Sequence, residues 1–394
     1  MANLTSALSP SARALPESGI VKVFNYGRTR EGLIALWAGE GDTPTSELIC
    51  APAHAALAEG QTFYTYQRGI PPLREALADY FARLYQRDML PEEFFVTCGG
   101  MHAIQMAVQL IVGAGEEVVI PAPSWPNFGG AILSHGGVPR YAAMQFGEKG
   151  WTLDLDRLFD ACTERTRALF INTPSNPTGW AATLDELRAI LDFARKRGLW
   201  IIADEIYGRF YYAGGLAPSF QTLREPGDRI IFTQTFSKNW AMTGWRMGWL
   251  QAPPELGQVI ENLIQYNTSG VPSFLQPAGV VALSEGETVA RGQIARATEG
   301  RRIVCSALER FRNLRFAWPA GAFYLLFGIE GETNSLETAL RLVDEANIGL
   351  APGGAFGPEG EGYFRICYQR SPEKLAEAMS RLTAWLEKRE RAGA

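Results

Sequence analysis

The sequence predicts an α/β fold in which a large unit, built on a mostly parallel sheet flanked by helices, is joined to a smaller α+β unit. Three observations predict it. The chain has 394 residues, beyond the size at which a single hydrophobic core stops growing, so two domains are expected. Between about residue 46 and residue 285, short apolar runs alternate with amphipathic stretches, the pattern of strands and crossover helices. From about 286 onward the pattern changes to a long helical stretch, short strands and a closing helix. The predicted division is 1–45 as an N-terminal arm and part of the smaller domain, 46–285 as the large domain, and 286–394 as the C-terminal small domain.

Residues 1 to about 30 read as a poorly patterned arm that packs on another element or subunit. The stretch from Pro72 starts with a proline, as helices often do, and sets Leu73, Leu77, Tyr80 and Leu84 on one face. Phe94–Cys98 is a β-type run that ends in Gly99-Gly100, and a helix follows from Met101 to Val112. Glu117–Ile120 is a strand that Pro121 is expected to stop, and Arg167–Ile171 is another. Leu184–Lys196 is an amphipathic helix with Thr183 as N-cap and Gly198 as stop. Leu199–Ala203 is apolar throughout, as parallel strands buried on both faces are. Arg229–Thr233 and Gly248–Leu250 complete the large unit. In the smaller one a helix ends near Arg312, strands cover Phe323–Leu326 and Tyr363–Tyr368, and a final helix covers Pro372–Lys388.

Bulk composition removes several function classes. The net charge of −5 is the wrong sign for a nucleic-acid surface. Three histidines and five scattered cysteines offer neither zinc spacing nor a disulfide framework, so no metal is expected and a reducing compartment fits. No run of 18 apolar residues and no signal-peptide pattern is present. The expected location is the cytoplasm, with no membrane partner.

Five segments carry candidate chemistry. Lys238 is the one charged residue between Arg229 and Arg246, in IIFTQTFSKNWAMTGW. A desolvated lysine has a lowered pKa and a nucleophilic neutral amine, although a structural lysine can occupy such a segment too. Asp204 follows the apolar strand LWIIA, at the edge where open α/β sheets bind ligands. A carboxylate there could hold a pyridinium nitrogen or cap a helix, and adjacent Glu205 competes for the role. Asn176 lies in NTPSNPTG, a proline-fixed turn that offers neutral hydrogen bonds. Gly99, Gly100 and Met101 open a helix whose free N–H groups suit a phosphate, with Thr235 and Arg246 available to it. Arg365, inside the apolar run GYFRICY, needs an anionic partner. A substrate carboxylate or an internal Asp or Glu would serve.

Together these segments resemble the fold-type I pyridoxal-phosphate aminotransferases of the aspartate aminotransferase superfamily, class I/II. The resemblance covers nearly the whole chain in order. It runs through IALWAGEGD (34–42), YTYQRGIPPLR (64–74), NTPSNPTG (172–179), ADEIY (203–207) and TFSKNWAMTGWRMGW (235–249). It implies a seven-stranded-type sheet in the large domain and pyridoxal 5'-phosphate as cofactor. By position, Lys238 would carry the cofactor as a Schiff base and move the proton, and Asp204 would pair with the ring nitrogen. Tyr207 and Asn176 would bond the phenolic oxygen, and Trp125 would stack on the ring. Gly99, Gly100, Met101, Thr235, Ser237 and Arg246 would surround the phosphate. Tyr64 would reach the cofactor of a partner subunit, which implies a homodimer with shared active sites. Arg365 and Gly39 would hold the substrate α-carboxylate, with Trp125 and Asn176 also facing substrate. Trp37, Met101, Gln67 and Arg68 depart from the family pattern near substrate-facing surfaces.

The resemblance implies transamination between an L-amino acid and a 2-oxo acid, aspartate-type or broad-range, by ping-pong kinetics. A carbon–sulfur β-lyase on the same fold is the enzymatic alternative. A cofactor-binding regulator is a third reading. Such regulators carry an N-terminal DNA-binding domain, whereas about 30 residues precede the first family motif in this acidic chain, so the reading is disfavoured. Arg68, four residues after Tyr64, is a candidate for a second substrate carboxylate, behind the plainer reading of a surface or interface arginine.

Overall fold

The computed structural model describes residues 4–393, so residues 1–3 of the expected arm and residue 394 lie outside the described residues. Seven strands form the main sheet: β1 (Phe94–Thr97), β2 (Glu117–Ala122), β3 (Val138–Ala143), β4 (Thr166–Asn172), β5 (Trp200–Asp204), β6 (Ile230–Thr235) and β7 (Gly248–Gln251). Their order is β1-β7-β6-β5-β4-β2-β3. The ladders from β6 through β3 are parallel, and β7 runs antiparallel to both of its neighbours. The architecture is the predicted one, a mostly parallel seven-stranded sheet flanked by helices.

Strand β5 shows why the sequence folds this way. It lies between β4 and β6 and is buried from Ile201 to Asp204, so both faces demand apolar residues. The helix before it, Leu184–Arg197, is fixed at both ends. Thr183 Oγ1 accepts the Glu186 N–H at 3.2 Å, and Glu186 Oε2 accepts the Thr183 N–H at 2.7 Å, a reciprocal capping box. Gly198 ends the helix at φ 65°, where a side chain would be strained.

A second sheet contains β8 (Leu314–Arg315), β9 (Tyr324–Ile329), β10 (Ala351–Pro352) and β11 (Tyr363–Cys367), in the order β8-β9-β11-β10 and antiparallel throughout. Helices Glu287–Leu308, Ser335–Ala346 and Pro372–Gly393 accompany it, giving the α+β unit. The N-terminal segment joins this unit. Ile34–Ala35 pairs in parallel with Ile348–Gly349, and Val23, Leu36 and Trp37 share a core with Phe323, Phe364 and Leu382.

Three expectations need correction. The N-terminal stretch is more ordered than an unpatterned arm, because Gly19–Gly27 is a helix that buries Val23 and Gly27. Pro121 does not stop its strand, since β2 continues to Ala122. The ladder to β4 ends at Val119↔Leu169, so on that side the missing proline N–H removes no bond. Strand β3 also went unread.

Candidate active site

The parallel register brings Asn172 and Asp204 level at the carboxyl ends of β4 and β5, the edge where such sheets bind ligands. Asp204 is fully buried. Its Oδ1 accepts the Ile206 N–H at 3.4 Å, and its Oδ2 has no hydrogen-bond partner among the described residues. Burial pushes its pKa up to about 7, with the Ile206 N–H, the Lys238 charge and the nearby Asn172 side chain opposing. Glu205 faces away, accepting from Ser219 Oγ and, at 2.9 Å, from the Phe220 N–H. Strand alternation therefore separates two residues that the sequence left level: Asp204 faces the cavity and Glu205 is a structural carboxylate.

Lys238 follows β6 between Phe236 and Trp240, both fully buried in one hydrophobic core with Val96 and Trp249 of the main sheet. Those anchors turn the lysine toward the sheet edge, where Nζ donates to the Gly39 carbonyl at 2.6 Å. Burial lowers its pKa to about 8, and the neighbouring Cys367 and Glu40 oppose the shift. A lysine of that basicity has an appreciable neutral fraction near physiological pH.

Arg365 projects from β11 and is 2% exposed. Its Nη1 donates to Asn176 Oδ1 at 3.0 Å and its Nη2 to the Trp37 carbonyl, while Nε is buried without a partner among the described residues. The guanidinium lies between the rings of Tyr324 and Phe356, at 4.7 and 5.0 Å from their centroids. Its hydrogen-bonding neighbours are neutral, so the positive charge is uncompensated at close range and suited to an incoming carboxylate.

These groups share one cavity of about 200 Å³. Lys238, Asp204, Tyr207 and Arg365 line it together with Gly39, Trp125 and Asn176. Tyr207 is buried, its hydroxyl 2.7 Å from that of Tyr324. Burial raises its pKa well above the usual phenol value, so it stays protonated. The Trp125 indole is held perpendicular to Phe128 at 5.5 Å.

A second cluster adjoins Lys238 along the chain. Gly99 caps the helix Gly100–Ile111 at φ 83°, and a Cβ there would lie 2.6 Å from Arg246 Nη2. Only glycine allows that guanidinium so close to the helix start. Thr235 Oγ1 donates to Ser237 Oγ at 2.8 Å and accepts the Ser237 N–H at 3.1 Å. First-turn N–H groups, two hydroxyls and an arginine make an anion cradle.

Three expected residues sit apart. The Met101 side chain lines a larger neighbouring cavity of about 670 Å³, although its N–H remains in the helix's first turn. Tyr64 is 94% exposed and lines neither cavity. Arg68 has an internal partner, with Nε 2.6 Å from Glu261 Oε2, which favours the structural reading of that arginine. Sequence reasoning missed Tyr324 and Ile20, which also line the cavity. The signal for Tyr324 was its strand, which pairs with the one that carries Arg365.

Among the described residues, no group of three or more His, Cys, Asp or Glu side chains could hold a metal ion, and no helix is long and apolar enough to cross a membrane.

A buried lysine amine and a half-satisfied carboxylate share one cavity at the carboxyl edge of a parallel sheet, the kind of α/β site suited to chemistry on carbonyl and amine groups. A family model described as aminotransferase class I and II matches residues 33–382. The chain is similar to aromatic-amino-acid aminotransferase 2 of Thermococcus litoralis, 36% identical over 97% of this chain and 99% of the relative. It is 34% identical to the aspartate aminotransferase of Pyrococcus horikoshii, over 95% of each chain. Among solved structures, the aromatic aminotransferase from Pyrococcus horikoshii superposes with a TM-score of 0.86 at 33% identity, covering 93% of this chain and 99% of that one. The chain belongs to the class I and II aminotransferase family and is an aminotransferase of the fold-type I architecture.

Proposed function

We propose that this enzyme exchanges an amino group between an L-amino acid and a 2-oxo acid by a ping-pong mechanism, using pyridoxal 5'-phosphate held at Lys238. The observation that carries the reading is the buried, unpartnered Asp204 Oδ2 in the cavity of the Lys238 amine. A protonated pyridine nitrogen is the donor that this oxygen lacks. The other residues fit the same group. Tyr207 and Asn176 would hydrogen-bond its phenolic oxygen, and Trp125 would stack on its ring face. The cradle of Gly99, Gly100, Met101, Thr235, Ser237 and Arg246 suits its phosphate.

When bound, pyridoxal phosphate supplies an aldehyde that captures an amine and a ring that withdraws electrons. The chain does the rest. Arg365, with Gly39 beside it, binds and orients the substrate α-carboxylate. Lys238 Nζ would take the proton from the substrate Cα and deliver it to the carbon of the former aldehyde, the 1,3-shift that transamination requires. Asp204 keeps the ring nitrogen protonated, and Tyr207 and Asn176 fix the ring's orientation. The substrate range taken for this chain is aspartate-type or broad, in keeping with relatives named for aspartate and for aromatic amino acids.

The working unit in this reading is a homodimer with shared sites. Tyr64, Phe63, Tyr66 and Tyr266 are 94, 82, 63 and 85% exposed, and aromatic exposure on this scale is characteristic of a protein interface. Tyr64 would then complete the partner's cradle. Residues 46–285 form the cofactor-binding domain, and 286–394 with 1–45 form the small one. A cytoplasmic location fits five free cysteines.

Half-reactions of the loaded enzyme with a panel of amino acids test the reading. One equivalent of 2-oxo acid should appear per site, and turnover should require an acceptor. Continuous release of pyruvate and ammonia without an acceptor would indicate a lyase instead.

A further inference from the structure

The register of the second sheet sets Tyr324 on β9 opposite Cys367 on β11, with Arg365 two residues before it. Side chains two apart on a strand share a face, so Tyr324 and Arg365 are diagonal neighbours. The ring of Tyr324 covers the guanidinium, with Cζ 4.7 Å from its centroid. At its other end, the Tyr324 hydroxyl lies 2.7 Å from the Tyr207 hydroxyl. The two rings are buried and nearly perpendicular, at 89°. Gly39 leaves room for this arrangement, because a Cβ there would overlap the Tyr324 hydroxyl.

We propose that Tyr324 is a positioning residue that aims the Tyr207 proton: Tyr324 O–H donates to Tyr207 Oη and commits the Tyr207 O–H to the cavity. The proposal rests on the reading above, in which Tyr207 hydrogen-bonds the phenolic oxygen of the cofactor. The two hydroxyls are each other's hydrogen-bond partners among the described residues. Each carries one proton and can also accept, so one bond joins the pair and either phenol can supply its proton. When Tyr207 donates into the cavity, Tyr324 must be the donor between them. A phenol that accepts a hydrogen bond is itself a stronger donor. Tyr324 thereby strengthens the bond that Tyr207 makes to the cofactor, and its ring separately keeps Arg365 in place.

The test is the pH titration of the cofactor absorbance in the loaded enzyme, with KM for an amino donor measured alongside. Tyr324→Phe keeps the ring over Arg365 and removes only the hydroxyl. Its titration midpoint should rise by roughly half a pH unit, the size expected when a neighbouring hydrogen bond loses part of its strength. KM should stay within about twofold, because the ring still covers the guanidinium. In a Tyr207→Phe background the same change should shift the midpoint no further. A Tyr324→Phe titration that overlays the parent curve, or an additive shift in the Tyr207→Phe background, overturns the proposal. Failure of the wider reading looks different, since the parent enzyme would then show no titrating cofactor absorbance that depends on Lys238.

Discussion

The Asp204 carboxylate and the Lys238 amine line one cavity, and burial drives their basicities toward each other, the acid up to about 7 and the amine down to about 8. Each group is thereby uncomfortable when charged and alone. A ring nitrogen that donates to Asp204 and an aldehyde that engages Lys238 would relieve both. The pair links what the fold does to what the enzyme needs.

That link predicts a pH dependence for the cofactor-free protein. Asp204 has a folded pKa above its ordinary 3.8, so the folded chain binds the extra proton, and stability falls as pH rises from about 4 through 7. Lys238 has a folded pKa below its ordinary 10.5, so its contribution to stability rises as pH climbs from about 8 to 10.5. These two groups place their combined minimum between about pH 7 and 8. Melting temperatures of the cofactor-free protein and its Asp204→Asn variant across pH 4.5–9.5 check this on the order of single pH units. The variant should lose the acid-side slope, and loading with cofactor should flatten it in the parent.

Arg365→Lys should raise KM for amino donors and lower kcat/KM by about 10²-fold. In the proposed role, two charge-assisted hydrogen bonds to the substrate carboxylate would become one point contact, at about 1.5–3 kcal/mol each. The substitution should leave the cofactor absorbance in place. Steady-state kinetics on three donors of different side chain provide the check, because an α-carboxylate contact is common to all of them.

Mixing variants tests the shared site. Tyr64→Ala and Lys238→Ala impair different halves of a site in the proposed dimer. Refolded together, the two proteins should regain activity, since the hybrid contains one site with both native residues. A different affinity tag on each variant, with sequential purification on both, isolates the hybrid. Equal inactivity of the mixture would place Tyr64 outside its partner's site.

Gly349→Ala should destabilise the fold by about 1–3 kcal/mol through overpacking. An added Cβ would overlap the Trp37 indole, which is 3% exposed and whose carbonyl accepts from Arg365. Urea midpoints measure the cost, and KM should rise in parallel because Arg365 loses a fixed acceptor.

Local patterns made much of this molecule legible in sequence. The capping box at Thr183, the stop at Gly198 and the apolar run of β5 need only neighbours along the chain. Lys238 stood out because its segment is otherwise uncharged. Features set by distant residues stayed hidden. Strand β3 is an edge strand reading Val-Pro-Arg-Tyr-Ala-Ala, and edges carry neither apolar continuity nor a bar on proline. Glu261, the partner of Arg68, lies 193 positions away. The choice between Asp204 and Glu205 required the sheet's faces, and the role of Tyr324 required the register of two strands. Helix Gly19–Gly27 was obscured because only Val23 and Gly27 are buried, too few for a clear stripe.

The central claim is that the cofactor is joined to the Lys238 amine. Reducing the loaded enzyme with borohydride and mapping the modified peptide by mass spectrometry tests it most directly. The mass of the reduced cofactor should appear on the peptide that contains Lys238, with no label in Lys238→Ala. A label on a different lysine, or full turnover by Lys238→Ala, would contradict it.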